Sequence, residues 1–234
     1  MKRDPTMFKT ELHCHSAEVS DCGQLSARVL TKSYVEKGYT TVVLTNHLSK
    51  FTYKNFRFDH SDWSWKQKID FYMDGFHRFE DAASGKLNVI LGCELRSNLD
   101  DNDYLLYGVT EDFLRSLPEM MDERLAVVRE ELHSIGGLLY QAHPFRDTMQ
   151  IKRPSRLDGI EVFNACNIGI RNTIADMWAD EFGLLKSSGS DFHTTSQKIC
   201  GGIETETPIT NREELIEALK SPDLHLLRAE ADTP

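Results

Sequence analysis

The sequence has no long apolar run, and no stretch approaches the roughly 20 residues that a bilayer-spanning helix needs. Its first residues, MKRDPTMFKT, are charged but are not followed by the apolar segment of a secretory signal. We therefore expect a protein with no membrane partner and a cytoplasmic location.

The sequence also lacks a CxxC pair, and its five cysteines are odd in number. This pattern argues against a disulfide framework and favours reduced thiols. Cys14 and Cys93 each adjoin a candidate metal ligand described below. Because side chains alternate along a strand, we interpret both cysteines as small core residues that face away from the ligands.

The sequence has fewer basic than acidic residues, with 27 Lys and Arg and 37 Asp and Glu, which gives a formal net charge of −10. An acidic chain does not attract polyanions through its overall field, which argues against nucleic acid as the partner. The 234 residues are 40% hydrophobic, which is typical of a globular domain with one sizeable core. The composition leaves the oligomeric state open.

Short apolar strands alternate with helices along the chain. Strands are predicted at residues 8–15, 41–45, 87–93, 103–109, 138–142, 159–163 and 185–188. Helices are predicted at residues 24–37, 119–135, 174–182 and 211–220, the last with Asn211 as its N-cap. This alternation of strands and helices is typical of a parallel sheet buried on both faces, and it fits either an open doubly wound sheet or a closed barrel.

Side chains of the metal-ligand type recur at or just beyond the carboxyl ends of these strands. They are His15, His47, Glu94, His143, Asp191 and His193. In a barrel, the loops at this rim converge, so ligands that are distant in the sequence meet there. One histidine at a strand end is usually structural, whereas the repeat on five strands favours a metal site.

Two pairs have a spacing that puts both side chains on one face of a strand. His13 and His15 are two residues apart, so both rings can bind one ion, and Asp191 and His193 repeat the arrangement. Imidazoles and carboxylates without thiolates suit Zn²⁺, Mn²⁺ or Fe²⁺ at a reactive site better than a structural zinc site.

The order of these motifs resembles that of the PHP (polymerase and histidinol phosphatase) superfamily. The resemblance rests on ELHCHSAEVSDCG, LTNHLS, GCEL, AHP and GSDFH, from about Thr10 to His193, and on the closing TNREELIEALKS. It implies a single-domain α/β fold, a distorted (β/α)7 barrel over residues 1–234. It also implies two to three divalent ions (Zn, Mn or Fe) that activate water to hydrolyse a phosphate ester.

The resemblance further implies a ligand set for each ion. The first ion would be held by His13, His15, Glu94 and Asp191. The second ion would share Glu94 as a bridge and take His143. The third ion would be held by Asp21, His47 and His193.

Two positions depart from the family pattern. Asn46 stands where the family usually has an aspartate, which is expected to change a hydrogen bond near His47 and not the ligand itself. Many members add a histidine to the second ion after the bridging glutamate, but no histidine lies between Glu94 and His133. Asp103 is the candidate replacement, and a solvated loop aspartate is the alternative.

Two arginines near the expected rim are candidates for binding a substrate phosphate through paired hydrogen bonds. They are Arg146 and Arg96, for which surface salt bridges are the alternative. His193 or His47 is a candidate general acid if a metal ion does not fully engage it. Glu161 and Asn164 end the sixth strand and are candidates for orienting ligands or substrate.

An aromatic segment at about residues 50–66 follows His47. One interpretation is a rim insertion that covers the substrate. The alternative is a loop that packs its aromatic rings on the barrel or on a second subunit.

The leading functional prediction is hydrolysis of a small-molecule phosphomonoester. Histidinol phosphatase, protein-tyrosine phosphatase and phosphodiesterase or exonuclease activities are alternatives within the same chemistry. A non-catalytic metal-binding PHP module is a further alternative, which the nearly complete ligand set argues against. C–N hydrolysis in an amidohydrolase-like barrel usually features a bridging lysine, and no lysine occupies a predicted strand end.

Overall fold

A computed structural model describes residues 7–55 and 59–228, so part of the predicted aromatic insertion lies outside the described residues. The strands are β1 (Phe8–Cys14), β2 (Tyr39–Leu44), β3 (His47–Leu48), β4 (Asn88–Leu91), β5 (Cys93–Arg96), β6 (Asp103–Tyr107), β7 (Leu138–Gln141), β8 (Gly159–Asn164), β9 (Leu185–Gly189), β10 (Ile203–Thr205) and β11 (His225–Leu226). The α-helices are α1 (Ala27–Glu36), α2 (Lys50–Tyr53), α3 (Trp65–Ala83), α4 (Glu111–Ser116), α5 (Leu125–Ser134), α6 (Gly169–Phe182) and α7 (Arg212–Lys220).

The strands form two sheets that meet at two places. One sheet has the order β11-β10-β1-β2-β4, and the other has the order β3-β5-β6-β7-β8-β9. At one junction, the Glu94 N–H donates to the Asn46 carbonyl at 3.1 Å. At the other, Cys14 pairs in parallel with Phe192, just beyond β9. The predicted mixed α/β architecture is confirmed, while closure into a complete barrel stays a prediction.

The sheets are not wholly parallel, which corrects the expectation drawn from the strand pattern. β1 with β2, β3 with β5, and β7 through β9 pair in parallel, but β6 runs antiparallel to both β5 and β7. Residues 97–102 connect β5 to β6, and this link is shorter than the crossover of about a dozen residues that parallel neighbours require. A hairpin is therefore the only pairing open to these two consecutive strands.

The helices show the largest differences from the sequence prediction. The predicted helix at residues 119–135 is shorter in the structure. Met120–Asp122 form a 3-10 turn that follows Glu119, whose φ is 53°, and α5 begins only at Leu125. α3, with 19 residues, was not predicted, although Ser64 and Gln67 form a capping box that marks its start. Among the described residues, no helix has both the length and the apolar character needed to cross a bilayer.

α3 supports the junction between the two sheets. Its buried face includes Tyr72, Phe76 and Phe79, which recur at helical spacing. The Tyr72 hydroxyl lies 2.8 Å from the carbonyl oxygen of Asn46 and 3.1 Å from that of Gly92. This helix therefore fixes the backbone on either side of the point where β3 and β5 pair.

α7 has the N-cap that the sequence predicts, and this gives a test of the fold. The Asn211 side chain accepts a hydrogen bond from the Glu214 N–H at 2.9 Å. We expect Asn211→Ala to lower the free energy of unfolding by about 1 kcal/mol, because the helix loses a partner for a free N–H group. Urea denaturation measures this loss. Asn211→Ser, which can still cap, is the control, and equal stability of the two variants would contradict the assignment.

Candidate metal centre

Seven of the predicted ligands meet at the carboxyl ends of the strands. They are His13, His15, His47, Glu94, His143, Asp191 and His193. His13 lies within β1 and His15 just beyond it, so the alternation of the strand turns both rings to one side. Parallel pairing of β3 with β5 sets His47 directly beside Glu94.

The Glu94 carboxylate is the centre of the cluster. Its Oε2 atom lies 3.3 Å from His13 Nε2, 3.1 Å from His15 Nε2 and 3.1 Å from His47 Nδ1. Its Oε1 atom lies 3.1 Å from His143 Nε2. A carboxylate that faces nitrogens on both of its oxygens is placed to bridge two ions.

Asp191 is the second carboxylate of the centre. Its Oδ1 atom lies 3.4 Å from the Nε2 atoms of both His13 and His15. Asp191 has a φ of 49° and His143 a φ of 27°, a region that residues other than glycine rarely adopt. Strained backbone of this kind costs roughly 1–3 kcal/mol and concentrates at functional sites.

Several of the converging atoms are buried without a hydrogen-bond partner. They include the Nε2 atoms of His13 and His15, Nδ1 of His47, and Oε2 of Glu94. Leaving such a group unsatisfied costs about 1–3 kcal/mol, so the lone pairs require a partner that lies between them. Imidazole nitrogens and carboxylate oxygens are ligands of Zn²⁺, Mn²⁺ and Fe²⁺. The residues therefore fit a centre that binds divalent metal ions.

The ligand atoms fall into overlapping groups. Within each group, the atoms lie within 4.8 Å of one another. Three of the groups are His13 with His15 and Glu94, His13 with His143 and Asp191, and His47 with Glu94 and Asp103. Glu94 and His13 each belong to two of these three groups, which agrees with ligands that are shared between ions.

Glu161 and Asn164 form an outer layer that orients the ligands. The Glu161 carboxylate lies 2.8 Å from His13 Nδ1, and it accepts from the His143 N–H and the Asn164 amide, each at 2.9 Å. A proton on Nδ1 of His13 leaves the Nε2 lone pair free for an ion. The Asn164 amide also reaches Asp191 at 3.1 Å.

Asn46, the residue that departs from the family pattern, also supports a ligand. Its Oδ1 atom accepts from the Ser16 N–H at 2.8 Å and from the Ser20 hydroxyl at 3.0 Å. The Ser20 oxygen in turn accepts from the His47 N–H at 2.9 Å. The substitution therefore leaves His47 anchored through Ser20.

Burial and charge set the protonation states of the ligands. Burial lowers the pKa of His47 to about 3 and that of His193 to about 4, which suits neutral metal ligands. Burial also lowers the pKa of His13, but the charges of Glu161 and Asp191 outweigh it and raise this pKa well above its ordinary value. The role of His193 as a general acid stays a prediction.

Asp103 lies at the centre and is not a solvated loop residue, since only 4% of it is exposed. Burial and the nearby Glu94 charge raise its pKa to about 6. Arg96 Nη1 donates to both Asp103 oxygens, at 3.0 and 3.1 Å. Arg96 therefore positions Asp103, and its predicted role in substrate binding stays a prediction.

Asp21 lines the same cavity as the cluster, and its Oδ1 atom is buried without a hydrogen-bond partner. The neighbouring residue, Cys22, belongs to a group of ligand atoms, because its Sγ lies within 4.8 Å of ring nitrogens of His15, His47 and His193. Cys22 was not predicted as a ligand, although it follows Asp21 directly in the first motif. The role of Asp21 stays a prediction.

A cavity of about 420 Å³ adjoins the cluster. Arg146 lies in its wall, and its Nη2 atom donates to Asp191 Oδ2 at 2.8 Å. Phe51, from the predicted aromatic insertion, also lines the cavity and is 50% exposed. The described start of this insertion therefore borders the site.

The outer layer can be tested through metal affinity. We expect Glu161→Gln to weaken binding of Zn²⁺ or Mn²⁺ by roughly 10–100-fold, because His13 loses the charge that fixes its ring. Competition with a chromogenic chelator measures this affinity. The exposed Glu217→Gln removes the same charge elsewhere and should leave affinity unchanged. Equal affinity of the two variants would contradict the assignment.

No model of a known protein family matches the sequence, and no curated protein matches it. Solved structures do match. A two-domain protein from Bacteroides vulgatus, which contains a predicted PHP-like metal-dependent phosphoesterase, is 18% identical with a TM-score of 0.65 over 94% of this chain. This chain spans 64% of that protein.

Two further structures cover nearly the whole of both chains. PsfC from Pseudomonas syringae is 15% identical with a TM-score of 0.68, over 96% of this chain and 92% of PsfC. An amidohydrolase from Chromobacterium violaceum, solved with bound sulfate and no metal, is 17% identical with a TM-score of 0.59, over 96% of this chain and 100% of the other. At these identities the likeness concerns the fold. The chain shares its fold with the structure that contains the predicted PHP-like phosphoesterase. This agrees with the resemblance of its motifs to those of the PHP superfamily.

Proposed function

We propose that this protein is a metal-dependent phosphoesterase that hydrolyses a small-molecule phosphomonoester. The observation that carries the proposal is the convergence of His13, His15, His47 and His143 on the two oxygens of Glu94. Such an arrangement suits a multinuclear centre, which phosphatases use to hold both the attacking and the leaving oxygen.

The residues divide into three positions around the shared Glu94. The first would be held by His13, His15, Glu94 and Asp191. The second would be held by Glu94, His143 and Asp103. The third would be held by His47 and His193, with Asp21 as the predicted carboxylate. Divalent ions at these positions supply Lewis acidity that polarises the phosphoryl group and lowers the pKa of water.

Asp103 takes the place of the missing histidine in this proposal. Its Oδ2 atom lies 3.9 Å from His143 Nε2, and it belongs to the same group of ligand atoms as Glu94. Arg96 offsets the charge of Asp103 from the outside and holds both oxygens in place. Arg96 thus favours the ionised form of Asp103. Without Arg96, the negative charge of the nearby Glu94 would favour protonation of Asp103.

Arg146 is the proposed binding group for the substrate phosphate. Its side chain is 31% exposed and borders the cavity. Burial opposes its charge, but Asp191 outweighs this and raises the pKa of Arg146. A planar guanidinium can pair with two phosphate oxygens while it remains beside the cluster.

Two alternatives belong to different classes. The fold is shared with an amidohydrolase, but in the part of the chain that the structure describes no lysine lines the cavity beside the cluster. A bridging lysine is usual in that chemistry, so the site favours phosphate esters. A non-catalytic metal-binding module is disfavoured because seven ligands remain together. The cavity volume of about 420 Å³ suits a small molecule, and histidinol phosphate and phosphotyrosine both remain candidate substrates.

Removal of metal tests the proposed reaction. Metal-stripped protein should release no phosphate from a panel of phosphorylated metabolites, and reloading with Mn²⁺ or Zn²⁺ should restore release. Free phosphate is the readout, and the same panel without protein is the control. Release that is indifferent to chelation would refute the metal dependence. No release from any member would instead favour the amidohydrolase or the non-catalytic alternative.

The role of Arg146 predicts a loss in substrate binding. We expect Arg146→Ala to lower kcat/KM by roughly 10–100-fold, since a hydrogen bond to a charged group contributes about 1.5–3 kcal/mol. The exposed Arg124→Ala is the matched control. Metal content must be measured alongside, because Arg146 also contacts Asp191. Unchanged kcat/KM with full metal content would show that Arg146 does not bind the substrate.

A further inference from the structure

We infer that Cys22 supplies a thiolate ligand to the third metal position, so that this position prefers thiophilic cations such as Zn²⁺ over Mn²⁺. The inference rests on the metal centre proposed above, but not on the identity of its substrate. It differs from the pattern carried over by resemblance, in which Asp21 is the ligand from this loop.

The geometry brings the Cys22 sulfur to three imidazoles. Its Sγ atom and one ring nitrogen each of His15, His47 and His193 all lie within 4.8 Å of one another. The rings themselves are stacked, with centroids 4.5 Å apart for His15 and His47, and 4.7 Å apart for His15 and His193. His15 Nε2 faces the carboxylates of the first position. The ring nitrogens of His47 and His193 and the Cys22 sulfur would therefore supply three of the four ligands of a tetrahedral zinc ion at the third position.

The loop that carries Cys22 is fixed in place. The Gln24 N–H donates to the His193 carbonyl at 3.1 Å, which ties the loop to the segment that carries another ligand. Gly23 packs against the backbone of Ser16, where a Cβ atom would lie only 2.9 Å from the carbonyl carbon. Cys22 is therefore held beside the cluster by contacts on its carboxyl-terminal side.

A histidine of the third position has a buried ring nitrogen that lacks a hydrogen-bond partner. That atom is Nδ1 of His47, and Nε2 of His15, at the adjoining first position, is likewise unpartnered. Burial of such lone pairs requires compensation, and a cation bound jointly with the Cys22 sulfur would provide it.

Cys166 is the other cysteine that approaches the cluster, next to Asp191 and His193. Its Sγ atom already donates to the Asp191 carbonyl at 3.1 Å and accepts from the Gln197 amide at 3.1 Å. These contacts occupy its sulfur. Cys22 is therefore the stronger candidate for the thiolate.

The donor types set the metal preference. The first and second positions contain the carboxylates Glu94, Asp103 and Asp191, which suit Mn²⁺ or Fe²⁺ as well as Zn²⁺. The group at Cys22 contains imidazoles and a sulfur, and soft sulfur ligands select zinc. The thiol gives up its proton when the sulfur binds the ion, as cysteine ligands do. The centre would thus be chemically asymmetric.

Cobalt substitution tests the sulfur ligand directly. Protein reloaded with Co²⁺ should show a sulfur-to-cobalt charge-transfer band in the near ultraviolet. Cys22→Ser should lose this band, whereas Cys166→Ser and Cys200→Ser should keep it. No band in the unaltered protein, or a band retained in Cys22→Ser, would overturn the inference.

Alkylation of the unaltered protein gives a second test that does not depend on the folding of a variant. Cys22 is exposed, so iodoacetamide should modify it in metal-stripped protein. Zn²⁺ should protect it, and Mn²⁺ at the same concentration should protect it less; peptide mass spectrometry measures both, with Cys200 as the internal control. Bound zinc without protection of Cys22 would overturn this inference alone. Absence of any bound metal by elemental analysis would overturn the proposed metal centre as well.

Discussion

The buried carboxylate of Glu94 is the constraint on which the rest of the site depends. Glu94 is 0% exposed, and a charge removed from water is costly unless it is paired or coordinates a metal. Burial raises its pKa, but the charges and hydrogen bonds of the surrounding histidines outweigh burial and hold the pKa well below its ordinary value. The junction of β3 with β5 and the support of Tyr72 fix the backbone from which this carboxylate projects.

Two further buried glutamates hold the strands that carry the ligands. Glu11 accepts backbone hydrogen bonds from Leu12, His13 and Ser190, at 3.0, 3.0 and 2.8 Å, and so joins β1 to the segment after β9. Glu161 contacts both His13 and the backbone of His143. Each of these carboxylates comes from a different strand, so the ligand geometry and the packing of the sheets are set by the same hydrogen bonds. A change in the packing of the sheets is therefore expected to alter the ligand geometry as well.

The sequence predicted which side chains meet in the cluster, because their residue types and their positions at strand ends coincide. One histidine at a strand end is usually structural, but the repeat on five strands favours a metal site, and period-two alternation sets His13 and His15 on one face. The reversal of β6 is a property of the short 97–102 link, which the strand pattern alone does not encode. The start of α3 had a readable signal in Ser64 and Gln67, but the aromatic residues around it favoured interpretation as a loop. The approach of Cys22 to three distant histidines depends on how the first loop packs on His193, and no local pattern reports that contact.

The central claim is that Glu94 bridges metal ions held by the surrounding histidines. Crystals of the zinc- or manganese-loaded protein, measured at the absorption edge of the bound metal, test it most directly through anomalous difference density. The account predicts at least two peaks within coordinating distance of Glu94, one of them shared with His13, His15 and Asp191. Density confined to other parts of the protein, or a Glu94 carboxylate that hydrogen-bonds to the histidines with no ion between them in metal-loaded protein, would contradict it.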